Sequence, residues 1–266
     1  MADRNRQIMA LGVTLGICLA APAVALADSP TRRGYVEPAT LSALIQNFPA
    51  APAIGSAQDL EDKAASARYR SLEGSERWML ATTQAEVRPP MGLSLFDCAL
   101  GYRIDPAQAP VLTRLYGRLL YDANGLAEEI KAQSPRPRPV GDDPERPSCE
   151  RITEAGRKSN SYPSGSAALA TAFGEALAQL EPERAEAVRE TARQIVLSRV
   201  VCAMHYPTDV AVGAEVGKAA FGLSSATPAY AEDAAAARVE LAAARQRAET
   251  SPACAAERSA LTVPLP

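Results

Sequence analysis

Apolar residues along this chain recur at helical rather than alternating spacing. The clearest case is the segment 109–131, where Leu112, Leu115, Leu119, Leu120, Leu126 and Ile130 fall on one stripe. The segment 58–87 carries apolar positions at the same period. Leu72, Trp78 and Leu80 are expected in its core, Gly74-Ser75 forms the turn between two helices, and Ser75 caps the second. Leu93, Leu95, Phe96, Cys98, Ala99 and Leu100 predict an almost wholly buried helix that Asp105-Pro106 breaks. Downstream, Ser164 opens a helix of small residues running to about 180, which Glu181-Pro182 ends. Further helices are expected over 183–204, from Pro207 to near Phe221, and through the Ala-rich stretch 231–249. Period-two strands do not stand out, so the expected fold class is an all-α helical bundle in a single domain.

Between these periodic segments lie proline-rich ones. Residues 28–57 suit an extended surface arm with a short helical turn at 41–45, and 134–151, with five prolines, is expected to be an irregular loop. The helical domain is thus 58–250, followed by an irregular tail at 251–266. At the other end, Arg4 and Arg6 precede an apolar run over 8–21 and the small residues Ala25-Leu26-Ala27. This predicts a signal peptide over 1–27, cut before Asp28, and a periplasmic or secreted mature protein. The run is shorter than the ~20 residues that span a bilayer, and no later stretch is long enough to do so, so no membrane association is expected after cleavage.

At 266 residues, 47% hydrophobic and 22% charged, the chain is long enough for one good core. Losing Asp3, Arg4 and Arg6 with the signal moves the formal charge from −3 to −4, which excludes a general nucleic-acid binder. Cys18 leaves too. Cys98, Cys149, Cys202 and Cys254 remain in an oxidising space, where four cysteines predict two disulfides with three pairings open. A metal site is disfavoured, because there is no C-x-x-C pair and only one histidine.

The candidate chemistry lies in three places. Pro163-Ser164-Gly165-Ser166 starts a helix whose first N–H groups are exposed, and Gly165 lets an anion approach them. His205, the only histidine, is followed four residues later by Asp209. With Pro207 at a first helical position the two can share a face, the carboxylate accepting from one ring nitrogen and leaving the other as nucleophile. Ser198-Arg199, on the helix before, can bring a guanidinium to the same place. Finally, Lys131 and Arg138-Pro139 supply fixed positive donors of the kind a tetrahedral dianion needs. Taken singly, each has an ordinary structural explanation: a helix cap, a packed histidine, a solvated basic loop.

Together, however, Lys131 with six residues before Arg138-Pro139, then Pro163-Ser164-Gly165, then Ser198-Arg199 with five residues before His205 and three more before Asp209, resemble the three-part signature of the type 2 phosphatidic acid phosphatase superfamily. The stretch from Gln58-Asp59-Leu60 to Trp78, the helix 96–101 and Ser161-Tyr162-Pro163 extend the resemblance to secreted bacterial class A non-specific acid phosphatases over most of the mature chain. The resemblance implies an acid phosphatase-like helical bundle and hydrolysis of phosphomonoesters without metal or other cofactor. His205 would attack phosphorus and carry a phosphohistidine, with Asp209 orienting the ring. Lys131, Arg138, Ser164, Gly165 and Arg199 would hold the phosphoryl oxygens. The implied partners are small phosphomonoesters and inorganic phosphate, with a homo-oligomer left open.

One position departs from the pattern. Where the family has Pro-Ser-Gly-His, this chain has Ser166, and the missing histidine is the one that protonates the leaving alcohol. That step is worth roughly 10² to 10⁴ in rate. Three outcomes stay open: substrates whose leaving group departs unprotonated; a proton delivered by a water at Ser166, a nearby carboxyl or Lys158; or an impaired phosphate-binding pseudoenzyme. Vanadate-dependent haloperoxidase chemistry is disfavoured by the same substitution, and a membrane lipid phosphatase by the lack of spanning helices.

Overall fold

The computed structural model describes residues 33–266 and is all-helical, with no strand among the described residues. The signal peptide expected over 1–27 lies outside the described residues. In chain order the α-helices are α1 (Pro38–Ser42), α2 (Ala57–Arg68), α3 (Glu76–Thr83), α4 (Asp97–Leu100), α5 (Pro110–Gln133), α6 (Pro139–Asp142), α7 (Glu154–Arg157), α8 (Gly165–Leu180), α9 (Ala185–Val201), α10 (Pro207–Ser225), α11 (Pro228–Arg247) and α12 (Cys254–Ala260).

Helix α8 is the centre. Its small and apolar residues are buried on nearly every side, and α5, α9, α10 and α11 pack round it. Close approach depends on side chains that are missing. A Cβ at Gly213 or Gly217 of α10 would stand 2.4 Å from the carbonyl oxygen of Ser164 or 2.2 Å from that of Ala168, so only glycine lets α10 lie on the start of α8. This contact sets the segment before α10, with His205, beside the helix opened by Ser164. On the opposite flank Phe173 stacks on Tyr116 and meets Phe96 edge-on, tying α8 to α5 and the turn before α4. Leu112, Leu115, Leu119 and Leu126 of the predicted stripe are fully buried, each contributing about 1.5–3 kcal/mol.

Local rules account for the helix starts. Ser75 accepts from the Trp78 N–H and Ser164 from the Ala167 N–H, both as N-caps, while Trp78 itself is only half-buried. The predicted helix 93–100 is a 3₁₀ turn over Met91–Phe96 followed by α4, and it ends at Gly101 (φ 80°), before Asp105-Pro106 is reached. The loop 134–151 is not wholly irregular, since Pro139, with φ preset for a first helical position, starts the single turn of α6. The tail also differs from expectation: α12 forms in it, held by a Cys98–Cys254 disulfide, while Cys149 pairs with Cys202. The proline-rich arm is fastened to the body. Asp122 of α5 accepts from the backbone N–H groups of Tyr35 and Val36, and the Tyr35 hydroxyl donates to Asp233 of α11.

Candidate active site

Helix α9 ends at Val201, and two residues on the chain turns at Ala203, a non-glycine residue in the left-handed region (φ 57°), to present His205 just before α10. The imidazole is 3% exposed. Its Nδ1 lies 2.8 Å from the carbonyl oxygen of Ser161, and its Nε2 lies 3.0 Å from Arg138 Nη1. A carbonyl only accepts and a guanidinium only donates, so these partners assign the proton to Nδ1 and leave Nε2 unprotonated, its lone pair accepting from Arg138. Burial, followed by the charges of Arg138, Arg199 and Lys131, holds the ring's pKa well below the usual histidine range. The imidazole is therefore neutral, with its nucleophilic nitrogen turned to the cations.

Asp209 does not accept from the ring, as i, i+4 spacing suggested, because His205 precedes the first turn of α10 and its side chain leaves in another direction. The carboxylate instead accepts from the Ser161 hydroxyl (2.6 Å), the Tyr206 N–H (2.8 Å) and Arg136 Nη1 (2.7 Å). It reaches the imidazole through Ser161, whose hydroxyl also lies 3.3 Å from Nδ1. Burial pushes the Asp209 carboxyl up, while Arg136 and the hydrogen bonds pull it back.

The three predicted cations line a cleft of about 610 Å³ together with His205, Gly165 and Ser166. Arg138 is anchored by the Ser159 hydroxyl and the Met204 carbonyl, and burial beside Arg199 lowers its pKa to about 10. Two of the cations already face carboxylates: Lys131 donates to Glu128 (2.5 Å) and Arg199 to Glu150 (2.9 Å). Burial pushes the Lys131 ammonium pKa down. Gly165 and the half-buried Ser166 contribute the open amide end of α8 to the cleft, where the helix dipole favours an anion.

Two expectations need adjusting. Ser164 is fully buried and spends its hydroxyl on the Ala167 N–H and its own N–H on the Asp209 carbonyl, so it braces the site rather than facing the cleft. Gly165 has a packing reason as well as an anion-binding one, because a Cβ there would stand 2.2 Å from Asn124 Oδ1. Ser198 faces away and bonds Gln84 and Arg77. Lys158 pairs with Glu154, both largely exposed, outside the cleft lining.

Arg136 is not singled out by the sequence pattern. It is 1% exposed and meets three buried carboxylates, Asp59 (3.0 Å), Asp62 (2.9 Å) and Asp209 (2.7 Å), with Tyr206 under its guanidinium. Asp59 and Asp62 come from α2, so that helix is wired through Arg136 to Asp209, which braces His205. Among the described residues no group of three or more His, Cys, Asp or Glu side chains is placed to hold a metal ion. The cationic lining instead suits a tetrahedral anion.

Comparison with known proteins identifies relatives of the chain. Residues 117–232 match the PAP2 superfamily model. The chain is 33% identical over 203 residues to an acid phosphatase from Zymomonas mobilis, covering 75% of each chain. It is 31% identical over 185 residues to a non-specific acid phosphatase from Salmonella typhi, covering 68% of this chain and 72% of that one. A non-specific acid phosphatase from Providencia stuartii is 27% identical over 184 residues, covering 69% and 74%. The chain therefore belongs to the PAP2 superfamily, as a homologue of the bacterial non-specific acid phosphatases.

Proposed function

We propose that this protein is a periplasmic or secreted acid phosphatase that hydrolyses small phosphomonoesters without a metal, through a phosphohistidine on His205. The observation that carries the reading is the neutral imidazole whose Nε2 faces Arg138 in a cleft that Lys131 and Arg199 also line. Phosphoryl transfer asks a protein mainly to position the reactants and to stabilise charge on the phosphoryl oxygens. Lys131, Arg138, Arg199 and the amide end of α8 do the second. Ser161, with Asp209 behind it, does the first by fixing the ring. The acid phosphatase names of the relatives support the substrate class, and the sequence 1–27 supports export.

The test is release of 4-nitrophenol from its phosphate by wild type and His205→Ala, with an alkaline quench to trap labelled phosphohistidine. The expected result is turnover and label in wild type and neither in the variant; equal background rates in both proteins overturn the reading. Ser166 and the two pre-paired cations favour a second reading, a phosphate-binding protein without turnover. Tight phosphate binding by calorimetry with no trapped label would select it.

A further inference from the structure

An alkyl phosphate loses its alcohol slowly unless the departing oxygen receives a proton. His205, the sole histidine, is the nucleophile in the reading above, on which this inference rests, and its Nδ1 proton is committed to the Ser161 carbonyl. Ser166 lines the cleft but is a poor proton donor. The carboxyls in the cleft lining are those of Glu86, Glu128 and Glu150. Glu86 has both oxygens on Arg88 (2.8 Å each), and Glu150 has both on Arg199 (2.9 and 3.4 Å). Glu128 uses Oε1 on Lys131, and its Oε2 has no hydrogen-bond partner among the described residues. Its side chain is 53% exposed, on the cleft face of α5 between Asn124 and Lys131. Its Oε1 lies 3.5 Å from where a Cβ of Gly165 would stand, which puts the carboxyl over the first residue of α8, next to Ser166.

We propose that Glu128 is the proton donor to the leaving alcohol in this enzyme, in the place that Ser166 leaves without an acid. An arriving ester dianion takes Lys131 for its own oxygens and sets a second negative group beside the carboxylate. The step uses the form of the complex in which the single proton shared by the ester and the neighbouring carboxyl sits on Glu128. His205 Nε2 then bonds to phosphorus as the P–O bond to the alcohol breaks, and the proton passes from Glu128 to the departing oxygen. The products are the alcohol, N-phosphorylated His205 and the Glu128 carboxylate. In the second step water attacks phosphorus, its proton returns to Glu128, and the N–P bond breaks to give phosphate and neutral His205. Charge and protons balance in each step.

The experiment compares ethyl phosphate and 4-nitrophenyl phosphate as substrates for the wild type, Glu128→Gln and the double variant Glu128→Gln/Ser166→His. Glu128 is half-exposed, so the first variant is expected to fold. The expected result for Glu128→Gln is a fall in kcat on ethyl phosphate of about 10²-fold with a change on 4-nitrophenyl phosphate of only a few-fold, since nitrophenolate departs without a proton. KM should not rise, because Lys131 is freed for phosphate. The double variant should recover part of the ethyl phosphate rate by supplying an imidazole. An equal fall on both substrates, or no fall on ethyl phosphate, overturns the assignment of Glu128 and leaves the phosphatase reading standing. A wild type that turns over neither ester and leaves His205 unlabelled overturns both.

Discussion

The carbonyl oxygen of Ser161 accepts from His205 Nδ1 at 2.8 Å, while the Ser161 hydroxyl donates to Asp209 Oδ2 at 2.6 Å. The backbone of one residue thus sets the tautomer, and its side chain links the ring to the buried carboxylate. Ser161→Ala keeps the carbonyl and removes the link. Turnover of 4-nitrophenyl phosphate is expected to fall about 10-fold at unchanged KM, the effect of one supporting hydrogen bond of roughly 1.4 kcal/mol. A wild-type kcat in this variant would mean that the carbonyl alone positions the imidazole.

Arg136 compensates three carboxylates, and all four side chains are buried. Removing one partner of a buried ion cluster leaves charges uncompensated, so Arg136→Met is expected to lower unfolding stability by about 3–5 kcal/mol in urea titrations at neutral pH. Asp62→Asn, which keeps the cation and two carboxylates, should cost clearly less. A loss below 1 kcal/mol for Arg136→Met would show that the cluster contributes little to holding α2 against the site.

Much of this architecture is legible in the sequence because helical period and capping are local. The stripe Leu112 to Ile130, the cap at Ser164 and the start at Pro207 all stand where the pattern puts them. The clustering of Lys131, Arg138, Arg199 and His205 is legible only through a spacing signature, since the pair 131 and 138 and the pair 199 and 205 lie some sixty residues apart in the chain. What escaped depended on direction rather than spacing. Arg136, in an Arg-Pro-Arg-Pro run, reads as solvated loop until α2 is seen to bring Asp59 and Asp62 to it. The Asp209 carboxylate turns to its own helix N-terminus, a choice that i, i+4 counting does not reveal. The helix in the tail begins at Cys254, whose partner Cys98 lies 156 residues away in the sequence, a pairing that local pattern does not specify.

Burial and the charges of Arg138, Arg199 and Lys131 lower the His205 pKa, which fixes the sign of the pH response. The ring stays neutral and nucleophilic in solutions where a free imidazole is protonated, so the acidic limb of kcat/KM belonging to His205 lies below pH 6.5 once ionisation of the ester is allowed for. Lys131→Met removes one of the charges that repel the proton, and that limb should move towards higher pH even as KM rises. The same shift has a stability consequence. Below pH 6.5 the unfolded chain binds a proton that the native ring refuses, so stability falls as pH drops through that range. His205→Gln should lessen that slope, and an unchanged slope would point to other groups.

The carboxyl of Asp97 shows the opposite linkage. It is 3% exposed, accepts from the Ile104 N–H at 2.9 Å, and is pushed up from 3.8 to about 6, chiefly by burial and in smaller part by Glu257 of α12. The native state therefore holds this proton more tightly than the unfolded chain. Its favourable contribution is full below about pH 4 and is lost as pH rises through 6. A shift of two units corresponds to roughly 3 kcal/mol, reduced by solvent screening to the order of 1–2 kcal/mol. Asparagine keeps the acceptor for Ile104 without the charge. Asp97→Asn is accordingly expected to stabilise the protein by about that amount at pH 7 and to change little at pH 4, read as Tm at the two pH values. Equal shifts at both would mean that packing beside the Cys98–Cys254 bridge, rather than ionisation of Asp97, controls this corner of the fold.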